Sequence, residues 1–148
     1  MNEGEATEGR GISTIRRRVD YSGTDQMGVV YHARYLVWLD VARTEHLRLS
    51  GMSYRDMEES GFQLMVSELT IRYRKSARYD DPIRVRVWVR AVDSRRVTFG
   101  YAVEHDETGV LFATASTDLF VLDAAQRLTR FPAHVAERLV ATPDPVRL

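Results

Sequence analysis

The residues of this chain best suited to chemistry lie in one stretch, VDYSGTDQMGVVYHARY, from Val19 to Tyr35. It opens with strand character and closes with helix character. Between the two stand a carboxylate, Asp25, a glycine, Gly28, and an imidazole, His32, set among apolar residues. Asp25 admits two readings: it caps the turn before the helix, or it is a general base or nucleophile. His32 is either a hydrogen-bonded core residue or a group that orients a substrate and assists a leaving group. The backbone N–H groups around Val30 to Ala33 stand at a helix start, unpaired and at the positive end of its dipole. They can form an oxyanion hole over a carbonyl that gains negative charge. A carboxylate just upstream can then activate water or attack the carbonyl itself, and the residues leave both routes open. Gly28 has no Cβ, so the backbone there can approach a ligand closely.

Other chemistries are absent. There is no cysteine, which excludes disulfides, thiolate catalysis and zinc–thiolate sites together and fits a cytoplasmic protein. His46, His105 and His134 have no partners at metal-ligand spacing and read as ordinary polar positions. No metal and no cofactor is expected. No phosphate-binding G-x-x-x-x-G-K-[ST] loop and no G-x-S-x-G elbow is present. Acidic and basic residues balance at 21 each, so the molecule has no bias toward nucleic acid or membrane. Among the 21 basic residues only Lys75 is a lysine. Arginine clusters suit anion recognition, and elsewhere they read as a solvated face. No apolar run reaches the ~18–20 residues of a membrane span, and Met1 to Ser13 is acidic and Gly-rich, without the apolar segment of a signal peptide.

The elements that must position Asp25 and His32 follow from periodicity. Residues 1–11 read as a disordered tail, and Ile12 to Tyr21 as a strand marked by Ile15, Val19 and Tyr21. Ala33 to about Leu49 reads as a helix. Tyr35, Leu36, Val37, Trp38, Leu39, Val41 and Ala42 make it apolar almost all round, so it should be buried on most sides. Gly51 stops it, and Ser53 opens a short helical turn. Beyond Gly61 the period becomes two. Leu69, Ile71 and Tyr73 alternate with polar residues. So do Ile83, Val85, Val87 and Val89, and Val97, Phe99, Tyr101 and Val103. These are half-buried antiparallel strands with short connectors, including Asp80-Asp81-Pro82 and Ser94-Arg95-Arg96. Val110 to Leu122 is apolar in both registers, as a central strand would be. Pro132 begins a short terminal helix. The expectation is one domain over residues 12–141 with a tail at 142–148. Its α+β architecture is a curved antiparallel five-stranded sheet, four strands in meander order, wrapped around one long central helix. An outer face rich in arginine with Trp88 among them, and open sheet edges, point to self-association.

The stretch DYSGTDQMGVVYHARYLVWLDVARTEHLR resembles the hotdog-fold acyl-CoA thioesterases, closest to the 4-hydroxybenzoyl-CoA thioesterase family with its tol–pal-associated bacterial branch. The likeness runs from about Arg16 to Pro132 and weakens through the sheet, where ELTIRYRKSARYDD and SRRVTF match in character. It implies hydrolysis of an acyl-CoA to free acid and CoA, with the catalytic carboxylate at Asp25 and the family's histidine or aromatic position at His32. It implies substrate contacts at Gly28, Val29, Val30 and Tyr31, and an acyl pocket drawing on Phe62, Leu64, Val66 and Ser67. Ser94, Arg95, Arg96 and Thr98 match the stretch that holds the CoA phosphates. It also implies a homodimer paired further into a homotetramer, with Asp25 of one subunit facing the Phe62–Ser67 region of the other. Two positions depart from the pattern: Gly23 stands where relatives often carry a second acid, and Ser76 where a proline is common.

Two other functions compete. A hotdog module could bind acyl-CoA without hydrolysing it, but such a binder has no need for a buried carboxylate beside an uncharged thioester. A dehydratase or hydratase of the same fold would need a histidine and an acid paired across the site behind a different helix-entry motif.

Overall fold

The computed structural model describes the backbone of Gly4–Glu5 and residues 11–148. In chain order the elements are β1 (Gly4–Glu5), β2 (Ile12–Arg18), a 3-10 turn (Tyr21–Gly23), α1 (Arg34–Leu49), α2 (Tyr54–Glu59), β3 (Phe62–Tyr73), β4 (Pro82–Val92), β5 (Arg96–His105), β6 (Leu111–Asp123) and α3 (Ala133–Ala136). The alternation of Ile83, Val85, Val87 and Val89 with Arg84, Arg86 and Arg90 gives β4 one apolar face, and all four apolar side chains are fully buried. Val97, Phe99, Tyr101 and Val103 do the same on β5. Across this face lies α1, which packs chiefly on β2 and β4 and buries Tyr35, Trp38, Leu39, Ala42 and Leu47 against it. Among the described residues no helix is long and apolar enough to cross a membrane.

The five expected strands are present in one antiparallel sheet around one long helix. The order is β1-β2-β4-β5-β6-β3, which departs from expectation in two ways. First, a sixth strand borders β2: Gly4 and Glu5 pair with Ile15 and Thr14. The rest of the expected disordered tail, residues 1–3 and 6–10, lies outside the described residues. Second, the meander holds only for β4, β5 and β6. β3 pairs with β6, from Phe62 opposite Asp123 to Tyr73 opposite Ala113. The segment between β3 and β4 is therefore a crossover from one edge of the sheet to the other side of the meander, with its turn only at the end. On the way it braces the helix entry: the Ala77 carbonyl accepts the Val30 N–H at 2.9 Å.

Burial corrects four further readings. Tyr21 is 79% exposed, because the strand ends at Arg18 and Tyr21 stands on the 3-10 turn. The helix is not covered all round: Leu36 and Val37 are 38% and 48% exposed, since the sheet of one chain reaches only one side of it. Trp88 does not stand on an open face. It is fully buried beneath the chain's own C-terminal segment, and its Nε1 donates to Asp144 Oδ1 at 2.9 Å. The arginines beside it are paired, Arg86 with Glu104 and Arg90 with Asp144. Finally, His46 is a core residue. It is 4% exposed, hydrogen-bonded through Nδ1 to the Ser13 hydroxyl at 2.7 Å, and burial holds its pKa down to about 4.

Candidate active site

The loop from Thr24 to Val30 is a tight hairpin whose ends form an isolated bridge. Asp25 organises it. Its N–H donates to the Val29 carbonyl at 2.8 Å, and its carbonyl accepts the Gly28 N–H at 3.0 Å. Its Oδ1 accepts the N–H of Met27 at 2.8 Å and of Val29 at 3.4 Å. The capping reading of Asp25 therefore has substance, but it engages Oδ1 alone; Oδ2 has no hydrogen-bond partner among the described residues. Gly28 has φ of +77°, a left-handed conformation that side chains other than glycine's disfavour. Asp25 itself is exposed in the single chain. The expectation of a buried carboxylate is not met in the single chain, because nothing among the described residues covers this side of the loop.

After the hairpin, two of the four N–H groups assigned to an oxyanion hole prove to be occupied. Val30 donates to Ala77 and Tyr31 to the Gly23 carbonyl, both at 2.9 Å. The N–H groups of His32 and Ala33 find no acceptor among the described residues. They lie immediately before Arg34, the first residue of α1, where the dipole favours negative charge. The His32 ring is exposed and packs beside Tyr31, with ring centroids 4.5 Å apart.

Asp25, Val29, Val30 and His32 line one cleft of ≈350 Å³, together with Tyr35, Tyr73 and residues 74–76. Asp25 and His32 thus share one cavity, and a strand residue, Tyr73, and a core residue, Tyr35, line it with them. Tyr73 is the last residue of β3, and its hydroxyl donates to the His32 carbonyl at 2.7 Å. Tyr35 is a core residue, and its hydroxyl accepts the Ala77 N–H at 3.3 Å. Arg74 and Lys75 complete the rim. A second cleft of ≈330 Å³ lies against β3, β4 and β6, but no Asp, Glu or His lines it, so it offers no general base.

The residues expected to form the acyl pocket and to hold CoA do not line this cleft. Phe62 is buried, Leu64 is partly buried, and Val66 and Ser67 are exposed; all four stand in the first half of β3. Arg96 of β5 lies opposite Phe120 of β6, which lies opposite Met65 of β3. Thr98 likewise lies opposite Asp118, whose carboxylate holds its hydroxyl at 2.6 Å. The Ser94–Thr98 stretch and the acyl-pocket residues therefore share one end of the sheet, while Tyr73 and the Asp25 cleft occupy the other. Met65 and Tyr73 are eight residues apart on β3, roughly 26 Å at the rise of a strand.

The profile of the thioesterase-like superfamily matches residues 19–139. The chain is 35% identical over 112 residues to the putative acyl-CoA thioesterase YneP of Bacillus subtilis, covering 76% of this chain and 80% of that protein. Among solved structures, the Thermus thermophilus protein TT1821 superposes with a TM-score of 0.80 at 35% identity, over 85% of this chain and 95% of that one. The DHNA-CoA thioesterase of Staphylococcus aureus superposes with a TM-score of 0.73 at 32% identity, over 81% of this chain and 79% of that one.

Proposed function

Because the chain belongs to the thioesterase-like superfamily, we propose that it hydrolyses acyl-CoA thioesters to the free acid and CoA. The observation that carries this reading is the cleft that Asp25 and His32 line together, just before the start of α1. The thioester carbonyl oxygen lies against the N–H groups of His32 and Ala33. As the carbonyl carbon becomes tetrahedral, its oxygen gains negative charge, and those donors stabilise it more than the ground state. Asp25, through Oδ2, either takes a proton from the attacking water or attacks the carbon to form an anhydride that water then opens. In both routes the C–S bond breaks and the CoA sulfur leaves as thiolate beside His32; it takes its proton from Asp25 where Asp25 has deprotonated the water, and from the water that opens the anhydride where Asp25 has attacked. No cofactor enters the reaction. A panel of aromatic and aliphatic acyl-CoAs, with release of free thiol followed by dye, tests the reading. Turnover of at least one member well above background is the expected result; binding of acyl-CoA without thiol release would leave a ligand-binding module instead.

The site is completed by a second copy of the chain. β3 is a twelve-residue edge strand, and Met65, Val66, Leu69 and Tyr73 on it are 38% to 47% exposed. Such an edge is normally paired. Antiparallel pairing of β3 with its own copy around a two-fold axis sets the Phe62 end of one strand beside the Tyr73 end of the other. That carries the partner's acyl-pocket segment and CoA loop to this chain's Asp25, and it covers the open side of α1 at Leu36 and Val37. Two such dimers pair further into a tetramer. Light scattering should show no active monomer.

Arg95 and Arg96 then face the CoA phosphates. Their N–H groups are tied to Asp93 at 2.9 Å, which fixes the turn, while both guanidinium groups remain exposed. Phosphate contacts far from the thioester bind ground and transition states alike. Arg95→Ala with Arg96→Ala should therefore raise KM for acyl-CoA and leave kcat nearly unchanged, most visibly at low salt. A short N-acetylcysteamine thioester, which has no phosphates, should be hydrolysed as by the unaltered protein. Mixed dimers of this double variant with Asp25→Asn should regain the low KM, since one site of each receives Asp25 from one chain and both arginines from the other. Persistence of the high KM in the mixture would confine the site to a single chain.

A further inference from the structure

Of the 21 basic residues of the chain only Lys75 is a lysine, and it lines the cleft of Asp25 and His32. The difference from arginine is chemical. A guanidinium keeps its proton in a protein, so Arg74 beside it can only attract negative charge. A lysine amine gives up a proton and becomes a nucleophile toward carbonyl carbon. The backbone of Lys75 is fixed: its N–H donates to the Phe112 carbonyl at 3.1 Å, next to the Arg74 N–H on the same oxygen at 2.7 Å. The side chain is exposed, and its ammonium has no hydrogen bond or ion pair among the described residues. Five single bonds of about 1.5 Å give the amine a reach of ~6 Å from its Cα, so it can turn into the cleft from the rim. Asp25 is the one carboxylate that lines the same cleft.

We propose that Lys75 is a site of self-acylation, its Nζ taking the acyl group from an acyl-CoA bound in this cleft. This rests on the thioesterase reading of the same cleft, since hydrolysis and acylation draw on one bound thioester. The ammonium first gives a proton to the Asp25 carboxylate, directly or through water. The nitrogen lone pair then attacks the thioester carbon, the C–S bond breaks, and the CoA sulfur leaves as thiolate. A second proton passes from the nitrogen to the thiolate, giving the amide and CoA thiol, and the proton on Asp25 returns to water. Water and the amine thus compete for one carbonyl carbon. Hydrolysis regenerates the free cleft at each turnover, whereas the amide persists, so the acylated form builds up as a minor branch. It replaces a cation at the rim by an uncharged acyl group. No other side chain of this protein can form that amide with its substrate, because every other basic residue is an arginine or a histidine.

Incubation of the protein with the best acyl-CoA of the panel, followed by intact mass and peptide mapping, tests this. One acyl increment should accumulate on Lys75, and the Lys75→Arg protein should gain none at that position. The α-amino group of the chain is the internal reference. Such a group ordinarily has a lower pKa than a lysine side chain and reacts first in free solution. In the folded protein the bound thioester should reverse that order, with Lys75 labelled at least about tenfold faster than the α-amino group. Excess free CoA, which competes for the same site, should slow labelling of Lys75 and leave the α-amino group unaffected. Unfolding in urea should restore the solution order. Labelling of the α-amino group ahead of Lys75 in the folded protein, or labelling of Lys75 that free CoA does not slow, would overturn the proposal. A protein that turns over acyl-CoA with Lys75 unlabelled sinks this proposal alone. One that labels Lys75 and never releases free acid sinks the hydrolase reading instead.

Discussion

Asp25→Asn should abolish most thioester hydrolysis while leaving the fold and the hairpin intact. The substitution separates the two roles of this side chain unusually well. Asp25 Oδ1 accepts the N–H groups of Met27 and Val29, and an asparagine amide oxygen can accept both in the same geometry. Oδ2, which is free, becomes an NH₂ group that can neither take a proton from water nor attack a carbonyl. Loss of a general base alone lowers the rate by roughly 10²–10⁴-fold, and loss of a nucleophile lowers it at least as far. Binding of acyl-CoA should persist, because the N–H groups of His32 and Ala33 are unchanged. Asp25→Ala is the less informative change, since it removes the turn acceptor together with the base. Retention by Asp25→Asn of more than about a tenth of the parent kcat would reduce Asp25 to a hairpin cap. The measurement is kcat on the best acyl-CoA of the panel, with circular dichroism to confirm that the variant is folded.

Asp25 and His32 are seven residues apart at the entry of a helix, so local geometry alone unites them, and they do line one cleft. Tyr73 reaches the same cleft across 41 residues. Its alternation with Leu69 and Ile71 marks it only as an inward-facing strand residue, and no short-range pattern reports what an inward aromatic will touch. The same limit explains the misplaced edge. Period two identifies β3 as a strand and gives it a face, but says nothing about whether its neighbour is β4 or β6. Paired with β6 and at the edge of the sheet rather than beside β4, β3 leaves Leu69 and Tyr73 exposed. Trp88 and His46 failed for a related reason. A tryptophan among arginines reads as surface until Asp144 is found above it. A histidine on a helix reads as polar until Ser13 is found against it. The limits of α1, β4, β5 and β6 came through to within a residue or so, as did the buried face of β4, because each depends on residues within a few positions of one another.

Gly100→Ala should destabilise the fold, although alanine is ordinarily the better residue in a strand. Gly100 lies directly opposite Trp88 across the β4–β5 pair. A Cβ built there would stand 2.6 Å from Trp88 Cε2 and 2.7 Å from Cζ2 and Nε1, distances no real contact tolerates. The indole cannot slide away freely. It is fully buried, and its Nε1 is bonded to Asp144, which Arg90 also grips through both carboxylate oxygens at 2.9 Å. Burial would raise the Asp144 pKa, but the bonds from Arg90 and Trp88 outweigh it and hold the carboxyl below its ordinary value, so the clamp is charged near neutral pH. Moving the ring breaks that clamp and lifts the segment it anchors, which also bonds to β4 through the Thr142 N–H and the Val89 carbonyl at 2.8 Å. Overpacking of this kind costs about 1–3 kcal/mol, a fall in Tm of roughly 3–10 °C for a chain of this size. Trp88→Phe should recover part of the loss, because a phenyl ring attached at the same Cγ leaves empty the outer benzo part of the indole, which includes Cζ2. The two changes together should then cost less than the sum of each alone. Strict additivity, or a Gly100→Ala protein melting at the parent temperature at equal concentration, would show that the outer face yields and that the indole clamp does not hold the C-terminal segment in place.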